Sequence, residues 1–106
     1  SDRLLADGHS VVGVDCFTDY YPRAVKEANL AEAKRQPKFT FHELDLATDD
    51  LTAVVSGADV VFHLAAMPGL TRSWLDFDIY NRCNLTATHR LLEAVKQVRG
   101  LTKFVY

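Results

Sequence analysis

Residues 59–66, Asp-Val-Val-Phe-His-Leu-Ala-Ala, form a nearly unbroken apolar run, bounded by Gly57 on one side and by Pro68 and Gly69 on the other. Its length and β-branched content make it a strand. Apolar residues at both odd and even positions predict burial on both faces, as in a parallel sheet covered by helices. That constrains everything else, because parallel neighbours are joined by crossovers, usually helical ones. The chain should therefore alternate strand and helix, and it does.

Arg3 to Asp7 reads as a helix end with Gly8 as its left-handed cap. Ser10 to Asp15 is a short β-branched strand. Pro22 can open a helix, whose loose apolar face is Ala24, Val25, Ala28, Leu30 and Ala33, and Pro37 ends it. Phe39 to Leu44 is a second strand. Thr48 is placed to cap a short helix through Ser56, with Leu51, Val54 and Val55 inward and Gly57 terminating it. After the loop with Pro68 and Gly69, the spacing predicts one long helix from Trp74. Its stripe is Phe77, Tyr80, Asn84, Ala87, Leu91, Ala94 or Val95, and Val98. Gly100 stops it, and Lys103-Phe104-Val105-Tyr106 begins a fourth strand. This is the pattern of an α/β fold, a partial doubly wound, Rossmann-like parallel sheet.

With 106 residues there is room for one small domain. A net charge of -2 offers no basic footprint for nucleic acid. No apolar run is long enough for a membrane-spanning helix, and no charged leader precedes an apolar stretch, so a cytoplasmic location is expected. The chain opens on Ser1, as a segment of a longer protein would. Cys16 and Cys83 show no Cys-x-x-Cys pairing, and His9, His42, His63 and His89 lie in different elements, so no metal is expected. Asn84-Leu85-Thr86 matches a glycosylation sequon inside a helical pattern, which argues against its use.

In a doubly wound sheet, ligands bind along the edge formed by the strand C-termini. Asp15 ends the first strand, where an acid accepts hydrogen bonds from a ribose 2′- and 3′-hydroxyl and repels a 2′-phosphate. A turn-forming aspartate would look the same. Asp45 ends the second strand, where its carboxylate could accept an adenine amino group while the Leu46 backbone reads a ring nitrogen; an Asx-turn is the plain alternative. Ala65 and Ala66 are small enough for a pyrophosphate or ribose to approach the backbone, or simply pack closely. Asn84 lies on an apolar stripe, where its amide needs a partner, either backbone or an active-site group.

These residues also carry a resemblance. Leu4-Leu5-Ala6-Asp7-Gly8-His9-Ser10-Val11 and Asp15-Cys16-Phe17-Thr18-Asp19-Tyr20-Tyr21 resemble the early part of extended short-chain dehydrogenase/reductase enzymes. Val61-Phe62-His63-Leu64-Ala65-Ala66 is similar to their fourth-strand motif. Asn84-Leu85-Thr86-Ala87-Thr88 with Leu91-Leu92-Glu93-Ala94 is similar to the following helix, and Lys103-Phe104-Val105-Tyr106 to the fifth strand. The Asp-x-Phe-x-x-Tyr-Tyr run and Arg72-Ser73-Trp74 bring it nearest to nucleotide-sugar 4-epimerases of the UDP-glucuronate type.

The resemblance implies NAD as cofactor, with contacts from Asp15, Cys16, Asp19, Asp45, Leu46, Leu64, Ala65 and Ala66, and Asn84 near the catalytic centre. It places the loop from Met67 to Ser73, with Arg72 and Ser73, near the nicotinamide and substrate. Met67 stands where many relatives have glutamine. The implied partner is a nucleotide sugar, transiently oxidised at C4, and the implied parent is a homodimer. The family's glycine-rich loop is expected before Ser1 and its Ser, Tyr and Lys catalytic set after Tyr106, so residues 1–106 are expected to be a partial, inactive NAD-binding domain. In the strand order 3-2-1-4-5, the missing first strand belongs between this chain's first and third strands. Two edges are then left unpaired, and the isolated chain should melt without sharp cooperativity and bind NAD weakly. A non-catalytic Rossmann-like nucleotide sensor or scaffold, or a related ketone reductase, would share the fold.

Overall fold

The computed structural model describes all of Ser1–Tyr106. The chain divides into two compact units, Ser1–Leu44 and Asp45–Tyr106. The first contains helix α1 (Asp2–Ala6), strand β1 (Val11–Asp15), helix α2 (Arg23–Lys34) and strand β2 (Phe39–Glu43). Gly8 takes the left-handed conformation expected of it, with φ 89°. β1 and β2 pair in parallel, from Val11 opposite Phe39 to Asp15 opposite Glu43. Parallel pairing puts both strand ends on one edge, so Asp15 and Glu43 close the ladder together. Gly13 lets the Phe39 ring lie against the strand, where an added Cβ would come 2.9 Å from Phe39 Cζ.

Helix α2 follows Pro22 as expected, but only part of the anticipated face is covered: Ala33 is buried and Leu30 half-buried, while Ala24 and Ala28 are exposed. Val25 is 48% exposed, while Lys26 and Ala33 are buried. The apolar spacing there is loose, and Lys26 is drawn inward by a specific partner described below.

In the second unit, helix α3 covers only Thr52–Val55. Thr48 does not cap it. Asp50 Oδ1 does so instead, accepting from the Thr52 N–H at 2.9 Å and the Thr52 hydroxyl at 2.7 Å. Thr48 is occupied in the preceding turn, its N–H donating to the Asp45 carbonyl. Leu51 and Val55 are buried as expected.

Strand β3 (Val60–Phe62) pairs in parallel with β4 (Lys103–Val105), and the His63 N–H adds a further bond to the Val105 carbonyl. The expected burial on both faces is not met. His63 is buried and Val61 half-buried, but Val60, Phe62 and Leu64 are exposed. Side chains alternate along a strand, so one face is covered and the other is open. The two strand pairs, β1 with β2 and β3 with β4, are the ones the order 3-2-1-4-5 predicts.

The expected single helix from Trp74 is broken. Helix α4 (Leu70–Ser73) ends before Asp76, whose φ of -143° and ψ of 65° interrupt the helical path, and α5 (Phe77–Tyr80) restarts it. Residues Asn81–Thr86 then form a π-helical segment that runs into α6 (Ala87–Val95). The buried stripe is Tyr80, Ala87, Leu91 and Val95, whereas Trp74 and Phe77 are exposed.

Candidate functional site

Each strand end carries one of the expected groups. In the first unit, the Asp15 carboxylate is half-buried. Its Oδ1 accepts the Phe17 N–H at 2.6 Å and the Lys26 ammonium at 3.0 Å. Neither of these bonds uses its Oδ2. The turn and ligand readings are therefore compatible: one oxygen shapes the loop and the other is not committed to it. Phe17 turns the chain with φ 50°, a left-handed conformation that costs a bulky residue energy and clusters at functional loops. Its ring is held edge-on to Phe41, with Arg23 over its face. Lys26, only 8% exposed, also faces the Tyr21 and Phe17 rings. Cys16 is half-buried and Asp19 exposed. At the same edge, Arg23 grips Glu43 with two bonds of 2.7 and 2.6 Å, which holds the Glu43 carboxyl below its ordinary range.

In the second unit, Asp45 forms the Asx-turn that sequence allowed, its Oδ1 accepting the Ala47 N–H at 2.8 Å. Its Oδ2 accepts from Arg82 at 2.7 Å. Arg90 donates to the carbonyls of Leu46 at 3.1 Å and Asp49 at 2.6 Å. The loop that follows β2 is thus fastened to the helical segment by two guanidinium groups.

Beyond β3, Leu64, Ala65 and Ala66 are exposed, while Met67 is buried. The Asn84 amide clamps Met67: the Met67 N–H donates to Asn84 Oδ1 at 2.6 Å, and Asn84 Nδ2 donates back to the Met67 carbonyl at 3.1 Å. Tyr80 adds a bond of 2.8 Å to the Pro68 carbonyl. Of the two partners open to Asn84, backbone and active-site group, the structure shows backbone. Asn84 sits in the π-helical segment, a rare feature often found at functional sites. There the Thr88 hydroxyl donates to the Asn84 carbonyl at 2.7 Å, and His63 Nε2 lies 2.7 Å from the same hydroxyl oxygen. Thr88 has one proton and spends it on Asn84, so His63 must be the donor through Nε2–H. Burial pushes the His63 imidazole below its ordinary value.

Arg72 is exposed in α4, and Ser73 turns its hydroxyl back to the Leu70 carbonyl at 2.6 Å. Sequence reasoning assigned no site role to Lys26, Tyr80, Arg82, Arg90 or the His63–Thr88 pair. The available signals were faint: a lysine one turn after Pro22, and two arginines eight residues apart on a helix whose stripe was otherwise apolar. No group of three or more His, Cys, Asp or Glu residues could hold a metal ion.

Parallel strand pairs alternating with helices make this chain part of an α/β fold of the Rossmann type. More specifically, the chain belongs to the NAD dependent epimerase/dehydratase family, whose sequence profile matches residues 1–106. It is 39% identical over 107 residues to a protein of Bacillus subtilis (strain 168) called an uncharacterized UDP-glucose epimerase, covering 99% of this chain and 34% of that one. It is 37% identical to the UDP-glucose 4-epimerase of Mycolicibacterium smegmatis, covering 99% of this chain and 32% of the relative. Among solved structures, the UDP-glucuronic acid 4-epimerase of Bacillus cereus in complex with UDP-glucuronic acid and NAD superposes with a TM-score of 0.90 at 37% identity, covering 97% of this chain and 33% of that one. A dTDP-glucose 4,6-dehydratase of Streptomyces venezuelae with NAD bound gives 0.81 at 26% identity, covering 99% of this chain and 34% of that one. The chain thus spans about a third of the length of its relatives.

Proposed function

We propose that residues 1–106 are the cofactor-binding part of an NAD-dependent nucleotide-sugar epimerase or dehydratase that transiently oxidises a sugar at C4. We further propose that the enzyme is a cytoplasmic homodimer. The observation that carries the reading is Asp15: a carboxylate at a strand end, pinned through Oδ1 by Phe17 and Lys26, neither of which uses Oδ2. Such an oxygen suits two ribose hydroxyls. A 2′-phosphate would meet a negative charge there, which favours NAD over NADP.

The other residues fit the same cofactor. Asp45 and the Leu46 N–H suit an adenine edge, with Cys16 and Asp19 flanking the ribose end. Leu64, Ala65 and Ala66 offer exposed backbone beside small side chains for the pyrophosphate and ribose. Asn84 and Tyr80 hold the Met67–Pro68 backbone, and with it the stretch leading to Arg72 and Ser73 that would face the nicotinamide and substrate. When bound, NAD would supply a reversible hydride acceptor for the sugar carbon. The residues present bind and orient; no acid or base for the proton is assigned to them. The nucleotide-sugar substrate is supported by the UDP-glucuronic acid and UDP-glucose present in relatives' structures.

The test is titration of the cofactor-stripped enzyme with NAD and NADP, followed by incubation with UDP-glucose and UDP-glucuronate. Tighter binding of NAD and formation of a 4-epimer or 4-keto product are expected. Asp15→Asn should weaken NAD binding about tenfold, the loss of one charge-assisted hydrogen bond. NAD binding without turnover of any nucleotide sugar would favour a non-catalytic sensor, and failure to bind NAD would overturn the reading.

A further inference from the structure

The loop after β2 is held more firmly than a connection requires. Asp45 Oδ2 accepts from Arg82 at 2.7 Å while Oδ1 is tied to its own turn at 2.8 Å. Arg90 fixes the carbonyls of Leu46 and Asp49. The Asp45 side chain remains 21% exposed, so lone pairs of the carboxylate stay accessible. Neither the turn nor Arg90 uses the Leu46 N–H, and no other backbone carbonyl accepts from it. An oriented anion beside such an N–H is complementary to the edge of a 6-aminopurine, which offers an amino donor and a ring-nitrogen acceptor. A 6-oxopurine presents the reverse, a carbonyl towards the carboxylate and an N–H towards the N–H.

Resting on the cofactor reading above, we propose that Arg82 is a positioning residue that sets purine specificity, by holding the Asp45 carboxylate aimed as an acceptor. Arg90 fixes the Leu46 carbonyl, in the peptide that follows the Leu46 N–H, and so limits rotation of Leu46. A guanidinium suits this work because it stays charged and directs its donors in a fixed plane. Without Arg82, Asp45 can rotate and re-solvate, and its preference for an amino partner fades. A purely structural tie would instead affect every dinucleotide alike.

The experiment compares binding of NAD and nicotinamide hypoxanthine dinucleotide to the cofactor-stripped enzyme, for wild type, Arg82→Gln, Arg82→Lys and Arg90→Lys. Arg82 is half-exposed, so its variants should fold, and Arg82→Lys keeps the charge if Arg82→Gln does not. Wild type should prefer NAD by about tenfold or more, the worth of a charge-assisted hydrogen bond. Arg82→Gln should bring the ratio close to one, Arg82→Lys should restore part of it, and Arg90→Lys should lower it through Leu46. Equal weakening of both dinucleotides, or an unchanged ratio, in a folded Arg82 variant would overturn the proposal while leaving the cofactor reading intact. Wild-type enzyme that binds neither dinucleotide would instead remove the cofactor reading itself.

Discussion

Replacing Asn84 tests how the loop beyond β3 is held. Met67 is 5% exposed, and the Asn84 amide satisfies both its N–H and its carbonyl, at 2.6 and 3.1 Å. Asn84→Ala leaves both groups without a side-chain partner. Each orphaned buried polar group costs about 1–3 kcal/mol, so the variant should lose about 2–6 kcal/mol. That is a large share of the 5–15 kcal/mol or so that holds a typical domain together. Water entering beside the half-buried Asn84 site would move the value to the lower end. Asn84→Asp separates the two bonds. It keeps the acceptor for the Met67 N–H but sets a carboxylate oxygen against the Met67 carbonyl. That contact raises the new carboxyl's pKa in the folded state above its unfolded value. The penalty is therefore present at neutral pH and disappears as pH falls through the raised folded value, because the protonated acid can donate to the carbonyl. Urea denaturation of the whole enzyme followed by circular dichroism, at pH 7 and again near pH 4.5, measures both effects relative to wild type. Asn84→Ala within about 0.5 kcal/mol of wild type, the range of ordinary surface substitutions, would refute the clamp. So would an Asn84→Asp deficit that does not shrink on acidification.

Other expectations follow from the same contacts. Asp15→Ser should narrow the preference for NAD over NADP, measured as the ratio of dissociation constants, because removing the carboxylate leaves the Lys26 ammonium, now 3.0 Å from Asp15 Oδ1, to meet a 2′-phosphate. Gly13→Ala should cost about 1–3 kcal/mol in a denaturation experiment, the usual penalty of overpacking, since the new Cβ would come 2.9 Å from Phe39 Cζ. Arg23 depresses the Glu43 carboxyl, so their pair contributes stability above the ordinary Glu value of 4.5 and loses it as pH falls through the lower folded value. Glu43→Gln should flatten the acid limb of the stability profile, and salt should weaken the wild-type effect because the pair is exposed. Burial holds His63 below its ordinary 6.5, so a ring-proton NMR titration should give a midpoint under 6.5. Stability should then fall as pH drops from 6.5 towards that midpoint, because the unfolded chain binds the proton first.

Much of the framework is local and could be read from the chain alone. Alternating strand and helix signals, Gly8 and Gly57 as left-handed caps, and Asp15 and Asp45 at strand ends all depend on neighbours a few residues away. The pairing of β1 with β2 and β3 with β4 followed from the family's strand order. What depended on distant partners was not legible. Lys26 reads as a solvated helix residue until Asp15, eleven positions earlier, supplies the acceptor that draws it inward. Arg82 and Arg90 reach a loop about forty residues away, and nothing in helical periodicity says which way a long flexible side chain will turn. The break at Asp76 and the π-helical segment were invisible for a related reason: the three-and-four spacing tolerates a local change of pitch, and Tyr80 and Asn84 bonding to Pro68 and Met67 decides where it occurs. Sequence settled which chemical groups stand at the strand ends. Tertiary contacts alone decided which of their atoms are spent on the protein, as Asp15 Oδ1 is on Phe17 and Lys26 and Asp45 Oδ2 on Arg82, because hydrogen bonds are satisfied by proximity in space and not by order along the chain.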